Sequence, residues 1–327
     1  MTAGAPRICV AGVGALGGLL AAMLARTQPH LSVVARGETL RRIRSDGLVL
    51  HDGTQTHVVR PPADIRAPDA VQDIIILAAK AHQLPALAET VAHAVDSRTI
   101  IVPVVNGVPW WLTAGDGNPL GVARSVVDPH DVLARTFPAP GVVGCVAYAF
   151  ASSDAPGVVR SLRPPLLLLG DPSCEPAYPP RVRIVEEIFR AAGIGIRLCP
   201  EIAREVWSKL AANLATNPLS VVCEADLTTL AASETMRALM GDVLRETIAV
   251  GEAYGIAPLK TVEELLGVII GAGGHTTSML QDYRGGRSLE LPAIGHAVMA
   301  LAAARGVPTP NAAAMVRIAD FKSIQRT

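Results

Sequence analysis

Short apolar runs alternate with helix-type patterns along the first half of the chain. The pattern predicts strands over residues 7–11, 31–35, 73–78 and 99–105, and a helix over residues 15–26. The runs DIIILA and TIIVPVV are apolar at almost every position, which suits strands that are buried on both faces. Further strands are predicted over residues 142–150 and 158–169, where antiparallel pairing is also open to them. Strands that alternate with helices in this way indicate a parallel sheet covered by helices.

From about residue 201 the pattern becomes that of helices alone. Helices are predicted over residues 201–222, 233–254, 260–270 and 288–305, with Gly or Pro between them. A chain of 327 residues is also too long for one ordinary core, so two domains are expected. We place the boundary near Pro200, which gives an α/β domain over residues 1–200 and an all-helical C-terminal domain over residues 201–327.

One apolar stretch is open to a different interpretation. Residues 8–25 follow Arg7 and are nearly all apolar, as the core of a signal peptide or a short membrane helix would be. However, the stretch holds Gly12, Gly14, Gly17 and Gly18, and a second apolar strand begins a few residues after it, as a βαβ unit requires. We therefore predict a strand, a turn and a helix here, no membrane span, and a cytoplasmic protein.

Composition and charge narrow the classes of partner. Half of the residues are hydrophobic, so the chain can bury sizeable cores. Lys plus Arg equals Asp plus Glu, at 29 each, and no basic run is present, so the electrostatic footprint of a nucleic-acid binder is missing. We expect a small-molecule partner and, if the chain associates with itself, a homodimer. The cysteines lack the spacing of a disulfide framework or a metal site, and reduced thiols are predicted at Cys9, Cys145, Cys174, Cys199 and Cys223.

A glycine-rich turn stands between the first predicted strand and its helix. It reads Gly12-Val13-Gly14-Ala15-Leu16-Gly17. In a Rossmann-type fold the first glycine of this spacing permits a tight turn, the second lets the backbone approach a pyrophosphate, and the third lets the helix pack closely on the strand. The helix N-terminus then offers N–H groups and a positive dipole end to the phosphates. We predict that these six residues bind a dinucleotide and that the N-terminal domain is of the Rossmann type.

The end of the second strand bears on which dinucleotide is bound. Sites for NAD usually place Asp or Glu there to bind the ribose 2′-hydroxyl. This chain has Arg36 at that position, with Arg41 and Arg42 close by, and a guanidinium can pair with a 2′-phosphate. NADP(H) is therefore the predicted cofactor, although Glu38 keeps NAD open and Arg36 could also be an ordinary surface arginine.

Two polar residues follow buried strands, at the edge where open α/β sheets bind ligands. Lys80 comes after DIIILAA, and Asn106 comes after TIIVPVV. Each has an ordinary alternative, as an exposed lysine and a turn former, but their shared placement favours a site. Trp110 and Trp111 are open to two interpretations, as a wall of the cleft or as packing residues.

A polar stripe runs along the first helix of the C-terminal domain. Lys209, Asn213 and Asn217 recur every four residues in EVWSKLAANLATNPL and so share one face of the helix. The rest of this segment is largely apolar, which predicts a mostly buried helix. Because burying an ammonium and two carboxamides without partners costs several kcal/mol, we favour a ligand-binding cleft over a solvent-facing stripe.

Ser278 and Glu290 have local explanations as well as functional ones. Ser278 with Gln281 matches a capping box. Glu290 is predicted in the first turn of a helix capped by Ser288, where an acid interacts favourably with the helix dipole.

Taken together, these segments resemble the ketopantoate reductase (2-dehydropantoate 2-reductase) family. The matching pieces span almost the whole chain: GVGALGG, AR, LAAKAHQ, PVVNGVPWW, WSKLAANLATNPL and TSMLQDYRGGRSLEL. The resemblance implies NADPH-dependent reduction of a branched 2-oxo acid, 2-dehydropantoate, on the route to pantothenate. It implies Lys209 as general acid, a substrate site that includes Asn106, Asn213, Asn217, Ser278 and Glu290, and contributions of Lys80 and Asn106 from the cofactor domain.

Two departures from the family pattern affect the substrate. After Glu290 the family often has an Asp and an Asn-Gly pair, whereas this chain reads Leu-Pro-Ala-Ile-Gly-His, and NGVPWW suggests a branch that need not use ketopantoate. The alternatives are an opine- or hydroxyacid-type dehydrogenase with another substrate, or a protein that senses NADP(H) without turnover.

Overall fold

The computed structural model describes residues 4–173, 178–271, 273–274 and 276–325. The chain forms two compact units, which we call the N-terminal unit (residues 1–105 and 131–202) and the C-terminal unit (residues 106–130 and 203–327). The division predicted at residue 200 did not anticipate that residues 106–130 would join the C-terminal helices. Cys174 lies outside the described residues.

The strands all belong to the N-terminal unit. They are β1 (Ile8–Ala11), β2 (Leu31–Val34), β3 (Leu48–His51), β4 (Thr56–Val59), β5 (Ala63–Asp64), β6 (Ile74–Leu77), β7 (Ile100–Pro103), β8 (Gly144–Tyr148), β9 (Ala151–Ala155), β10 (Val158–Ser161), β11 (Leu166–Gly170) and β12 (Gly195–Leu198).

The helices are distributed over both units. They are α1 (Ala15–Leu24), α2 (Gly37–Ser45), α3 (Leu84–Val91), α4 (Trp110–Thr113), α5 (Arg124–Val127), α6 (Val132–Thr136), α7 (Pro180–Ala191), α8 (Ile202–Cys223), α9 (Leu227–Ala232), α10 (Glu234–Glu252), α11 (Val262–Gly271), α12 (Ser278–Arg284), α13 (Ala297–Arg305) and α14 (Pro310–Ile324).

A parallel sheet forms the core of the N-terminal unit. Its strand order is β5-β2-β1-β6-β7, and β1 pairs in parallel with both β2 and β6. All four residues of β1, β2, β6 and β7 are buried, as the continuous apolar runs predict. The strand order reverses between β1 and β6, and ligands of open α/β sheets bind at such a switch point. The predicted fold class, a Rossmann-type domain followed by helices, is confirmed.

The two later apolar segments form antiparallel pairs, as the sequence left open. β8 pairs antiparallel with β11, whereas β10 pairs antiparallel with β9 and parallel with β3. The segment predicted as strand over residues 158–169 forms two strands, because the stretch that contains Pro164 and Pro165 separates β10 from β11. Proline cannot donate to a ladder, so a break there is expected.

Helix α1 is apolar on every side because it packs against sheet on two sides. It contacts β1 and β2 of the parallel sheet and also β3, β9 and β10. A Cβ at Gly18 would stand 2.6 Å from Val159 Cγ2 on β10, so glycine allows this close approach. This burial explains the apolar stretch over residues 8–25. Among the described residues, no helix is both long and apolar enough to cross a membrane.

The C-terminal unit is built around the long helix α8. Trp207 of α8 is fully buried and donates its indole N–H to the Thr247 carbonyl of α10 at 2.9 Å. A Cβ at Gly251 of α10 would stand 2.3 Å from that indole nitrogen. The two helices therefore pack at close range, and this contact fixes the orientation of α8.

The helix predicted over residues 288–305 starts later and less regularly than expected. Residues Pro292–His296 form a π-helical turn that leads into α13. The pattern also failed to predict α9 and α14, and it indicated α12 only through the capping box at Ser278. Helices α9 and α12 are only one or two turns long.

Candidate active site

The glycine-rich turn has the conformation that its spacing predicts. Gly12 follows β1 with φ +95°, and a Cβ there would stand 2.6 Å from the carbonyl oxygen of Ala78. A Cβ at Gly17 would stand 2.0 Å from the carbonyl oxygen of Gly12, so only glycine lets α1 pass this close to the turn. The turn is therefore held tightly at the switch point between β1 and β6.

Gly14 differs from the other two glycines because it faces open space. It is the N-cap residue of α1, and no described atom lies within 4 Å of the place that its Cβ would take. The first N–H groups of a helix have no partner within the helix, and the first turn of α1 holds no acidic residue. These donors and the space before them fit the pyrophosphate of a dinucleotide.

The arginine and the acid after β2 are in different environments. Arg36 is exposed, and its side chain makes no hydrogen bond or ion pair with the residues that the structure describes. Glu38 instead pairs with two arginines of its own helix, with Arg41 at 2.5 Å and with Arg42 at 3.1 Å. The charge of the acid is already matched, and Arg36 keeps its donors for a ligand.

Lys80 and Asn106 belong to different units. Lys80 is half-buried, lies three residues after the end of β6 and precedes a 3₁₀ turn over Ala81–Gln83. Asn106 is part of the C-terminal unit, which corrects the expectation that it contributes from the cofactor domain. Trp110 and Trp111 are only 2% and 6% exposed, which favours packing over a role as a cleft wall.

The polar stripe of α8 is largely withdrawn from water. Lys209 and Asn213 are half-buried, and Asn217 is only 4% exposed. Within the described residues the carboxamide of Asn213 makes no hydrogen bond. Asn217 receives only a long contact of 3.5 Å from the hydroxyl of Thr216, whose single proton goes to the nearer carbonyl of Ala212 at 2.7 Å. Both carboxamides therefore keep hydrogen-bonding capacity for a ligand.

A chain of hydrogen bonds joins Lys209 to Glu290 through Asn106. The ammonium of Lys209 donates to Asn106 Oδ1 at 2.8 Å, and Asn106 Nδ2 donates to Glu290 Oε2 at 3.4 Å. Only this orientation of the carboxamide serves both neighbours, since a lysine must donate and a carboxylate must accept. Glu290 is 4% exposed. The ammonium of Lys209 and the carboxylate of Glu290 therefore bind the same carboxamide at a place that is largely shielded from water.

The π-helical turn fixes the relative position of Asn106 and Glu290. The Val108 N–H donates to the carbonyl of Ala293 at 2.8 Å. Gly107 has φ +85°, and a Cβ there would stand 2.6 Å from the backbone of Ala293. The backbone beside Asn106 thus rests directly on the turn that follows Glu290, and π-helical turns are frequent at functional sites.

The local explanations for Ser278 and Glu290 are both wrong. The cap of α12 is Thr277, whose hydroxyl accepts from the Leu280 N–H at 3.1 Å, while Ser278 is already the first residue of the helix. The hydroxyl of Ser278 has no hydrogen-bond partner among the described residues. Glu290 precedes its helix instead of lying in the first turn, and its carboxylate bonds to Asn106. Neither side chain is committed to capping.

Sequence reasoning missed one further charge on α8. Glu205 is 4% exposed and lies four residues before Lys209, so the two share a face of the helix. The four-residue spacing that identified the stripe also extends backwards to this acid. Sequence reasoning stopped at the lysine and overlooked it.

The described cysteines do not form disulfides. Cys9, Cys145, Cys199 and Cys223 are free thiols, and burial raises the pKa of Cys9 to about 11, so that it stays protonated at neutral pH. In the described part of the chain, no three His, Cys, Asp or Glu side chains are grouped so that they could hold a metal ion.

Comparison with known proteins identifies the class that this fold and site define. Residues 8–173 match the family described as Ketopantoate reductase PanE/ApbA, and residues 201–323 match its C-terminal domain. The chain therefore belongs to the ketopantoate reductase family and is an oxidoreductase.

Individual relatives match along their whole length. The chain is 34% identical to a 2-dehydropantoate 2-reductase of Mesorhizobium japonicum over 98% of each chain, and 27% identical to that of Halobacterium salinarum over 96% of this chain and 99% of its relative. Among solved structures, it resembles a proposed ketopantoate reductase of Ralstonia solanacearum MolK2, with a TM-score of 0.90, 32% identity and 99% of each chain covered. The fold is also that of a D-mandelate dehydrogenase solved with NADH and anilino(oxo)acetate, at a TM-score of 0.83, 18% identity and 98% of each chain.

Proposed function

We propose that this protein reduces a small branched 2-oxo acid to the 2-hydroxy acid with NADPH, and that 2-dehydropantoate is the substrate. The observation that carries the proposal is the hydrogen-bonded chain from Lys209 through Asn106 to Glu290, beside a polar stripe with open hydrogen-bonding capacity. The names of the curated relatives support the choice of substrate. The N-terminal unit would hold the cofactor, and the C-terminal unit the substrate.

In this proposal the cofactor is held by the turn that includes Val13, Ala15 and Leu16 between its glycines. Open space at Gly14 and the free donors of α1 support the placement of the pyrophosphate there. Arg36 would bind the 2′-phosphate, since its guanidinium has no partner in the described structure while Glu38 is already paired. Lys80 would contribute at the carboxyl end of β6. NADPH, when bound, would supply the hydride for reduction of the carbonyl carbon.

Lys209 would act as the general acid. Negative charge develops on the carbonyl oxygen as the carbon is reduced, and a positioned ammonium both stabilises that charge and delivers a proton. Asn106 would orient the ammonium, because its Oδ1 accepts from Lys209 at 2.8 Å. Glu290, at the other end of the carboxamide, would hold the new hydroxyl group.

Asn213, Asn217 and Ser278 would bind the remaining oxygen atoms of the substrate. Each offers a polar group that the described protein leaves largely unused, as the geometry of α8 and α12 shows. Groups of this kind favour substrates that can satisfy them, since a buried polar group without a partner is costly.

The test is oxidation of NADPH against a panel of 2-oxo acids that includes ketopantoate, pyruvate, 2-oxoisovalerate and phenylglyoxylate. We expect ketopantoate to have the highest kcat/KM. A clear preference for phenylglyoxylate would favour a mandelate-type dehydrogenase, whose fold this chain shares. Tight NADPH binding without turnover of any oxo acid would favour the sensing role and contradict the proposal.

Lys209→Ala separates catalysis from binding within the same assay. We expect kcat to fall about 10²–10⁴-fold because proton delivery is lost, while the Kd of NADPH stays unchanged. The reductive kcat of the wild type should also fall as the pH rises, since a general acid must be protonated. Lys260→Ala is the matched control, as Lys260 is a half-buried lysine of the same unit outside the site. Near-normal kcat in Lys209→Ala would remove Lys209 from the mechanism.

A further inference from the structure

Two buried hydroxyl groups join helix α8 to the start of helix α12. Ser220 is fully buried and Thr277 is 3% exposed, and their hydroxyl oxygens lie 2.6 Å apart. They are separated by 57 residues of chain, so the contact is a tertiary one. Neither residue belongs to the substrate site proposed above.

The direction of each hydrogen bond in this pair follows from counting protons. Ser220 donates its one hydroxyl proton to the carbonyl of Asn217 at 2.7 Å. The bond between the two hydroxyls must then run from Thr277 to Ser220, because each hydroxyl has a single proton. Thr277 Oγ1 in turn accepts the N–H of Leu280 at 3.1 Å, which caps α12. The result is a directional chain from the cap of α12 to the backbone of Asn217.

This series of hydrogen bonds ends on the backbone of one proposed substrate-binding residue and begins beside another. Asn217 carries the last carboxamide of the α8 stripe, and Ser278 follows Thr277 directly in the sequence. Pro218 lies within α8 and has no N–H to donate, so the helical hydrogen bond to the carbonyl of Leu214 is missing. The bond from Ser220 is made at a different carbonyl, that of Asn217, and ties its side chain to the backbone of that residue.

A second contact holds the other end of α12 to α8. Arg284, the last residue of α12, donates to the carbonyl of Glu224 just beyond α8 at 2.9 Å. Helix α12 is therefore attached at both ends, but only the contact at Thr277 lies beside Ser278. This arrangement supplies a matched pair of sites for mutation.

We infer that Thr277 and Ser220 are positioning residues, which hold the hydroxyl of Ser278 at a fixed place relative to Asn217 and so set the affinity for the 2-oxo acid. The inference rests on the proposed function, since it assumes that Ser278 binds substrate. Thr277 acts only through Ser278. Without the hydroxyl of Thr277, the first turn of α12 loses both its cap and its attachment to α8.

The test is a double-mutant cycle of Thr277→Val and Ser278→Ala, assayed with NADPH and ketopantoate or whichever acid of the panel has the highest kcat/KM. We expect Thr277→Val to raise the KM of the acid about three- to tenfold, as loss of a hydrogen bond implies. The kcat and the Kd of NADPH should stay near the wild-type values. In the Ser278→Ala background, Thr277→Val should have no further effect on KM, because coupled residues are not additive.

Three further variants complete the test. Thr277→Ser keeps the hydroxyl and should restore the wild-type KM. Ser220→Ala removes the attachment to α8 but leaves the cap of α12, and it should also raise the KM of the acid even if the valine variant folds poorly. Arg284→Met removes the other attachment of α12 and should leave KM unchanged even if it lowers the melting temperature. Additive effects of Thr277→Val and Ser278→Ala, or an equal rise of KM in Arg284→Met, would overturn this inference and leave the proposed function unaffected. A wild type that reduces no 2-oxo acid would overturn the proposed function and this inference with it.

Discussion

Arg36 lies two residues beyond strand β2 and has an exposed guanidinium, whereas the carboxylate of Glu38 is already paired. Glu38 pairs with Arg41 and Arg42 within α2, so it is poorly placed to accept a ribose hydroxyl. An acid that serves the ribose of NAD needs free acceptor oxygens. The charge distribution after β2 thus favours a phosphate at this place.

We predict that Arg36→Ala reduces the preference for NADPH over NADH. Loss of a charge-assisted contact should cost roughly 1.5–3 kcal/mol, seen as a higher KM for NADPH with little change for NADH. Steady-state kinetics with both cofactors measures this directly. Arg44→Ala is the control, since Arg44 of the following helix, α2, is already paired with Asp64 at 3.1 Å. Equal use of both cofactors by the wild type would contradict the prediction.

At the residue scale, the sequence identifies the candidate site residues more reliably than it identifies the residues that they contact. The glycine spacing and the stripe of α8 are local patterns, and the structure has the tight turn and the shared helix face that they predict. The bonds of Asn106 span 103 residues to Lys209 and 184 residues to Glu290, and no local pattern encodes such distances. The cap of α12 was misplaced by one residue because Thr276, Thr277 and Ser278 can all cap a helix.

Among the elements, the π-helical turn at Pro292–His296 has the most direct consequence for the site. It presents the carbonyl of Ala293 to the Val108 N–H, and Gly107 lies against its backbone. The turn and the segment after β7 therefore form one support for Asn106 and Glu290. A displacement of either segment would break the hydrogen bond between those two side chains.

Gly107→Ala tests this support. The residue has φ +85° and a Cβ would stand 2.6 Å from the backbone of Ala293, so the segment must move. We expect kcat to fall at least about tenfold, a loss of roughly 1.4 kcal/mol in transition-state stabilisation. The comparison is Gly115→Ala in the same segment, where φ is +96° and no described atom is near the new Cβ. That variant has the backbone strain of about 1–2 kcal/mol without a steric clash. Its kcat should therefore stay close to that of the wild type.

The predictability of the elements followed their length and periodicity. Strands β1, β2, β6 and β7 of the parallel sheet and the helices α8, α10 and α11 agree with prediction to within a few residues, whereas the two-residue strand β5 was not predicted. Helices α9 and α12 are too short for the apolar period to repeat. The π-helical turn could not be predicted, because it depends on a partner segment that lies far away in the chain.

For the whole molecule, the main finding is that the C-terminal unit is assembled from two separate stretches of chain. Residues 106–130 leave the N-terminal unit and pack among helices that begin at residue 203. Trp110 is 2% exposed and Leu120 is 4% exposed, and the turn around Leu120 contacts α13. The inserted stretch is therefore part of the core of that unit.

We predict that a fragment of residues 203–327 does not fold on its own. It would lack Trp110 and Leu120, and removal of a large buried side chain typically costs about 3–5 kcal/mol. Thermal unfolding followed by near-ultraviolet circular dichroism should show no cooperative transition. The same fragment preceded by residues 106–130 and a flexible linker should regain one. A sharp transition in the shorter fragment would show that the inserted stretch is dispensable.

The insertion also dictates the order in which the newly made chain can fold on the ribosome. Residues 106–130 emerge early, but Ala293, which accepts from Val108, is synthesised almost two hundred residues later. At common translation rates that interval is on the order of 10–40 s. Throughout it the turn around Leu120 lacks its contact with α13, and exposed apolar surface is what chaperones bind and what aggregates. The sheet can form before release of the chain, whereas the support for the substrate site is completed only at its end.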